Sequence, residues 1–112
     1  YDQSIVTDDL VHMRYEASIR PGYQDTYARM FPEPRQRHVR TLACDEGALR
    51  ALDKETLIVH GRDDRIVPVE ASIRLHDLIS PSQLHVFGRC GHWTQIEQNR
   101  RFCRLVVDFL AE

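Results

Sequence analysis

Two short β-rich runs, Thr56-Leu57-Ile58-Val59 and Leu84-His85-Val86-Phe87, constrain this chain more than any other feature. The first is uninterrupted and apolar, the pattern of a strand buried on both faces. Between them, Gly61 to Pro68 is turn chemistry. Pro68 suits the first turn of a helix, and Ala71, Leu75, Leu78 and Ile79 give that helix an apolar stripe until Ser80-Pro81 stops it. A strand–helix–strand crossover implies parallel pairing. After the second run, Gly88 to Gly91 reads as a loop. Phe102, Leu105, Val106, Phe109 and Leu110 then fall at helical spacing on a last amphipathic helix. The second half of the chain is thus predicted to be strand, helix, strand, helix. Two parallel strands buried on both faces need further strands at an edge and helices on both sides. Those strands are expected upstream, and the first residue, Tyr1 rather than a methionine, fits a chain that begins inside a longer protein.

The first half is helical in pattern. Thr7 or Asp8 can cap a helix running toward Ser18, with Leu10, Met13 and Ala17 on one face. Arg20-Pro21-Gly22 breaks it. Tyr23, Tyr27, Met30 and Phe31 mark a second short helix, ended by Phe31-Pro32-Glu33-Pro34. Residues 35–43 are polar and basic and read as loop. Asp45 can cap a third helix carrying Ala48, Leu49 and Leu52.

The bulk numbers exclude several functions. The 112 residues suit one small domain, 42% hydrophobic and 29% charged, with a formal net charge of -2. That balance gives no electrostatic case for nucleic acid or an anionic membrane. The basic cluster of Arg35, Arg37, His38 and Arg40 reads as a solvated surface. Neither a signal peptide nor an apolar run near the roughly 18 residues of a membrane span is visible. Cys44, Cys90 and Cys103 are odd in number and lack Cys-x-x-Cys spacing, which favours a reducing cytoplasm over a disulfide framework.

The chemistry gathers where open α/β sheets place it, beyond the carboxyl ends of the strands. Asp64 follows the first strand and His92 the second, and parallel pairing would bring the two loops together. An aspartate there can accept the Nδ1 proton of the histidine, fix its tautomer and leave Nε2 as a general base. A nucleophile is not evident. Ser4, Ser18, Ser72, Ser80 and Ser82 lack a Gly-x-Ser-x-Gly setting. Cys90 lies only two residues from His92, and Cys44 and Cys103 read as structural. Neighbouring Asp63 competes for the acid role, or serves as a turn or helix-cap residue. His60 and His85 read as satisfied structural histidines; His12, His38 and His76 show no metal spacing.

These residues carry a resemblance. Thr56-Leu57-Ile58-Val59-His60-Gly61-Arg62-Asp63-Asp64-Arg65-Ile66-Val67-Pro68 resembles the acid-bearing loop of α/β-hydrolases, and Leu84 to Trp93, ending Cys90-Gly91-His92-Trp93, resembles their histidine loop. Together with Arg14-Tyr15-Glu16, the pattern is similar to the meta-cleavage product hydrolases, which cleave carbon–carbon bonds in aromatic degradation. Arg14-Tyr15-Glu16-Ala17-Ser18-Ile19-Arg20-Pro21-Gly22 and Met30-Phe31-Pro32 resemble the 2-hydroxymuconic semialdehyde hydrolases among them. The resemblance implies an α/β fold, the C-terminal part of an α/β-hydrolase. Residues 1–53 would be the end of the helical lid and the return to the core. Residues 54–112 would be the part of the core that carries the triad acid and histidine. It implies Asp64 as the acid, by the Gly61-x-x-Asp64 spacing, and His92 as the base that assists ketonisation and activates the nucleophile or water. Arg14 would hold the carboxylate of a 2-hydroxy-6-oxohexa-2,4-dienoate, unless it is a surface arginine paired with Glu16 or Asp9. Trp93 and Val67 would line the substrate site, Trp93 otherwise being core. The serine and the oxyanion-hole amides would lie upstream. No metal or organic cofactor is implied; a homo-oligomer is. A carboxylesterase with the same dyad and a non-catalytic interaction module are the competing expectations.

Overall fold

The computed structural model describes residues 1–41 and 43–111, the side chains of residues 38–40 excepted. It divides into two units, Val6–Cys44 and a larger one of Tyr1–Ile5 with Asp45–Glu112.

In the smaller unit, α1 runs from Asp8 to Ser18. The Thr7 hydroxyl oxygen accepts the Leu10 N–H at 3.2 Å, satisfying one of the first-turn donors that a helix leaves open. Asp8 and Asp9 complement the positive end of the helix. Gly22, at φ 80°, turns the chain into α2, Tyr23–Met30. The rings of Tyr27 and Phe31 meet at 5.3 Å. The expected apolar faces are only partly covered within this unit: Leu10, Ala17 and Phe31 are half-buried, while Met13, Tyr23, Tyr27 and Met30 are exposed.

The loop expected over residues 35–43 is instead partly helix, α3, Arg35–Thr41. It starts directly after Pro34, whose carbonyl accepts the Arg37 N–H at 3.1 Å. Arginine and glutamine are good helix formers, and a proline suits a helix start. Apolar periodicity cannot reveal a helix that carries so few apolar residues. Arg35 and Arg37 are exposed as expected; the side chains of His38 and Arg40 lie outside the described residues.

The larger unit holds the sheet. A 3₁₀ turn spans Gln3–Ile5, and α4 spans Glu46–Arg50 with the Asp45 carboxylate accepting the Ala48 N–H at 3.0 Å. Leu52, expected on this helix, lies past its end. Strand β1, Thr56–Gly61, is followed by α5, Val69–Leu78, and then β2, Ser82–Phe87. Pro68 caps α5 from outside its first turn. The strands pair in parallel, from Thr56 opposite Ser82 to Gly61 opposite Phe87. Helix α5 packs on both strands and on α4, and Arg74 of α5 pairs with Glu46 of α4. A four-residue helix that sequence periodicity does not reveal, α6, Thr94–Glu97, precedes α7, Asn99–Leu110.

Leu78, Ile79, Phe87 and Cys90 form the buried apolar core. Within the described residues Thr56 to Val59 are half-buried, and Gln83 and Val86 are exposed. The described sheet has two strands, so each has one neighbour and a narrow face for helices to cover. The same geometry leaves Ala71 and Leu75 of α5 and Leu110 of α7 exposed, against the expected stripes. Cys44 and Cys103 are exposed. His85 packs edge-on against Phe87 at 4.3 Å, but its buried Nε2 has no hydrogen-bond partner, so it is not the satisfied histidine expected.

Candidate active site

The parallel register delivers Gly61 and Phe87 at the same level, and the chain leaves both strands at the same, carboxyl end of the sheet. The two exit loops are then stitched together by backbone. Arg62 N–H donates to the Phe87 carbonyl at 2.9 Å, and Asp63 N–H donates to the Cys90 carbonyl at 2.8 Å. Asp63 returns the bond through its side chain, its carboxylate accepting the Cys90 N–H at 3.2 Å. The residue that competes for the acid role therefore holds the second loop instead.

Asp64 points the other way. Its Oδ1 accepts the N–H groups of Ile66 at 2.7 Å and Val67 at 3.1 Å, which curls the loop around the carboxylate. Its Oδ2 lies 2.8 Å from Nδ1 of His92. Burial pushes the Asp64 carboxyl up, but the hydrogen bonds from His92, Ile66 and Val67 outweigh it and hold the group at about 2. An ionised carboxylate can only accept, so Nδ1 of His92 carries the proton and a neutral ring has its lone pair on Nε2. The aspartate side chain is 5% exposed and that of His92 48%. The acid is sealed and the imidazole is reachable, an arrangement suited to proton transfer with a bound molecule.

Beneath the pair sits His60, buried at the end of β1. Its Nε2 lies 3.0 Å from the Val67 carbonyl, which fixes the proton on that nitrogen. Its Nδ1 accepts from the Ser72 hydroxyl at 2.7 Å. The same Nε2 is 3.7 Å from Asp64 Oδ2. The reading of His60 as a satisfied structural histidine agrees with these bonds, and they support the floor of the acid loop.

Glu97 is the residue that sequence reasoning missed. It closes α6, and its carboxylate accepts the N–H of Gly91 at 3.0 Å and that of Trp93 at 3.3 Å. It also accepts Asp2 N–H at 3.0 Å and meets the Tyr1 amino group at 2.8 Å. Burial raises this carboxyl, but the hydrogen bonds from the Tyr1 nitrogen and from the N–H groups of Asp2, Gly91 and Trp93 outweigh it and hold it at about 2. The spacing Thr94-x-x-Glu97, a Ser/Thr-x-x-Glu pattern, is the signal that could have found it.

Two hollows open beside His92. The larger, about 690 Å³, is lined by Tyr1, Gln3, Asp63, Asp64, Arg65, Ile66, Gly91 and His92. The smaller, about 200 Å³, is lined by Val59, His60, Gly61, Asp64, Val67, His92 and Thr94. Val67 thus sits beside the Asp64–His92 pair, whereas Trp93, half-buried at the start of α6, lines neither hollow. Arg14 lies exposed on α1, in the other unit, where Glu16 pairs with His12 at 3.1 Å. Cys90 is fully buried and burial pushes its thiol up, the opposite of what a nucleophile needs. Among the described residues, no cluster of three or more His, Cys, Asp or Glu side chains could hold a metal ion, and no helix is long and apolar enough to cross a membrane.

The chain is similar to known hydrolases over nearly its whole length. Over 111 residues the chain is 63% identical to a 2-hydroxy-6-oxo-2,4-heptadienoate hydrolase of Pseudomonas putida, covering 99% of this chain and 40% of that protein. It is 57% identical to a 2-hydroxymuconate semialdehyde hydrolase of Pseudomonas sp. strain CF600, covering 100% of this chain and 40% of the relative. A solved meta-cleavage product hydrolase from Pseudomonas fluorescens IP01 superposes with a TM-score of 0.92 at 58% identity, over 99% of this chain and 41% of that one. The chain thus spans about 40% of the length of the curated relatives it matches. Residues 9–98 match the family of the alpha/beta hydrolase fold, and with its parallel crossover and paired exit loops the chain belongs to that family.

Proposed function

We propose that this chain supplies the acid, the base and part of the substrate lid of a meta-cleavage product hydrolase, acting on 2-hydroxy-6-oxohexa-2,4-dienoates with a small group at the ketone end. The observation that carries the reading is the 2.8 Å contact of His92 Nδ1 with a buried, ionised Asp64. The relatives' names support the substrate class, since two of them are hydrolases of a heptadienoate and of a muconate semialdehyde. In this reading His92 takes and returns protons at Nε2, first in ketonising the dienol and then in activating a serine or water. Asp64 keeps the imidazole in the required tautomer. Water is added across the carbon–carbon bond, giving 2-hydroxypenta-2,4-dienoate and a small acid. Arg14 binds the substrate carboxylate, for which a planar, permanently charged guanidinium is well suited. Val67 and Trp93 contact the carbon skeleton.

Residues 1–53 then contribute the end of the lid and the return to the core, and residues 54–112 the acid and the histidine. The nucleophilic serine and oxyanion-hole amides belong to the part of the enzyme outside these 112 residues. The three free cysteines favour a cytoplasmic enzyme, and the family resemblance favours a homo-oligomer.

The test is decay of the dienolate absorbance of 2-hydroxymuconic semialdehyde by the whole enzyme, with an aryl ester run beside it. Fast decay, abolished in His92→Ala and weakened in Arg14→Ala, is the expected result. Ester turnover without dienolate decay would make the protein an esterase, and turnover of neither would make it non-catalytic.

A further inference from the structure

His92 is attached to the protein at three levels. Its ring meets Asp64 at 2.8 Å. Within the loop, the Cys90 N–H is held by the Asp63 carboxylate at 3.2 Å. The residues on either side of the histidine, Gly91 and Trp93, both donate their N–H groups to one carboxylate, that of Glu97, whose side chain is 3% exposed. The Gly91 N–H lies 3.0 Å and 3.1 Å from the two oxygens of Glu97. A Cβ at Gly91 would stand 3.0 Å from Glu97 Oε1, so the missing side chain lets the carboxylate close on the loop.

We infer that Glu97 is a positioning residue for His92, clamping the peptide units on both sides of it so that the imidazole stays aligned between Asp64 and the substrate. The inference rests on the reading of His92 as the base. Oε1 of Glu97 accepts from both flanking N–H groups, while Oε2 is held by the Asp2 N–H and the Tyr1 nitrogen, which fixes the carboxylate in place. In a glutamine an NH₂ must replace one of the two oxygens: at the Oε1 position it faces the N–H groups of Gly91 and Trp93, and at the Oε2 position it faces the Asp2 N–H and the Tyr1 nitrogen, so donor meets donor in either orientation. With the side chain driven off its seat the loop loses this anchor, and a misplacement of about 1 Å at a reacting group costs on the order of a hundredfold in rate.

The whole enzyme is tested as wild type, Glu97→Gln, Glu97→Asp and Gln98→Ala. Gln98 is the control, because it also bonds this loop, at the Arg89 carbonyl 3.2 Å away, without touching the residues beside His92. Two quantities are read: the downfield proton resonance of His92 Nδ1–H, and kcat and KM for the dienoate. Glu97→Gln is expected to broaden or displace the resonance and to lower kcat roughly 10- to 100-fold with KM changed less than about twofold. Glu97→Asp, which keeps the charge and one bond, is expected to recover part of both. An unmoved resonance and unchanged kcat in Glu97→Gln would overturn the inference, as would equal losses in Gln98→Ala, which would show mere loosening of the loop. If Glu97→Gln does not fold, the Glu97→Asp resonance decides in the same way. If the wild type leaves the dienoate untouched, the substrate reading fails, while the His92 resonance still decides the role of Glu97.

Discussion

Gly61 lies against the backbone of Cys90 so closely that a Cβ built on it would stand 2.6 Å from the Cys90 carbonyl oxygen and 2.9 Å from its carbon, and closer still to the Gly91 carbonyl. The acid loop and the histidine loop touch through this bare backbone, and their mutual hydrogen bonds require the approach. Gly61→Ala is therefore expected to force the loops apart. The obstacle is backbone and cannot swing aside, so the loss of stability should reach at least the roughly 1–3 kcal/mol typical of overpacking. Denaturant midpoints of wild type and variant check this. An unchanged midpoint would mean that the loops can separate at no cost.

Asp64→Asn preserves shape and alters the proton pattern. The asparagine oxygen can still accept from Ile66 and Val67, which turns its NH₂ toward His92 Nδ1. The imidazole is then pushed into the wrong tautomer. A fall in kcat of about a thousandfold or more is expected, with folding retained. Steady-state kinetics beside a circular dichroism spectrum would reveal either outcome.

Acid stability follows from the two carboxyls held at about 2, Asp64 and Glu97. Both are depressed on folding. Each therefore adds stability that is fully present above the unfolded value near 4 and is lost as pH falls from there toward 2. Unfolding free energy measured between pH 6 and pH 2 should drop mainly below pH 4. Removing either carboxyl by Asp64→Asn or Glu97→Gln should flatten that drop.

His60 bonds Ser72 and Val67 through its two ring nitrogens inside the protein. His60→Leu would leave a buried hydroxyl and a carbonyl without this partner, at a cost of about 1–3 kcal/mol for each group left unsatisfied. Thermal unfolding gives the measurement, and a stable His60→Leu enzyme would show that the two groups find other partners.

Thiol labelling should separate the cysteines. Cys44 and Cys103 are exposed and Cys90 is fully buried with its thiol pushed up. Under native conditions a maleimide is expected to modify the first two and to reach Cys90 only on unfolding, as mass spectrometry of the peptides would report.

Much of the site was legible because it follows from alternation of strand and helix. Once Thr56–Val59 and Leu84–Phe87 are read as parallel neighbours, Asp64 and His92 must exit on one side, and the 2.8 Å contact between them agrees with that reading. Helix starts were legible where a side chain announces them, as Thr7 and Asp45 do. Helix α3 was not, because its residues are mostly polar and give no apolar period. The half-burial of β1 reflects the single neighbour it has in the described sheet, whereas its apolar run reports a strand suited to more neighbours than these residues provide. Glu97 is marked in the sequence by little more than the Thr94-x-x-Glu97 spacing, because its partners are backbone N–H groups. His85 escaped for the opposite reason: a histidine inside a strand looks satisfied until its Nε2 is found without a partner.

The parallel pairing of Gly61 with Phe87 also acts as a ruler for anyone redesigning this protein. From that common starting line the acid is reached at Asp64 and the base at His92, so the reach of each loop is set by how many residues it spends before its functional side chain. Insertions on the far sides of Asp64 and His92, toward α5 and α7, can alter the surroundings of the pair. A single residue added between Gly61 and Asp64, or between Phe87 and His92, moves one partner by about 3.3 Å along an extended chain, more than the whole hydrogen bond that joins them. Diversity in substrate is therefore best introduced after the acid and after the base, with the two lead-in segments kept at their present lengths.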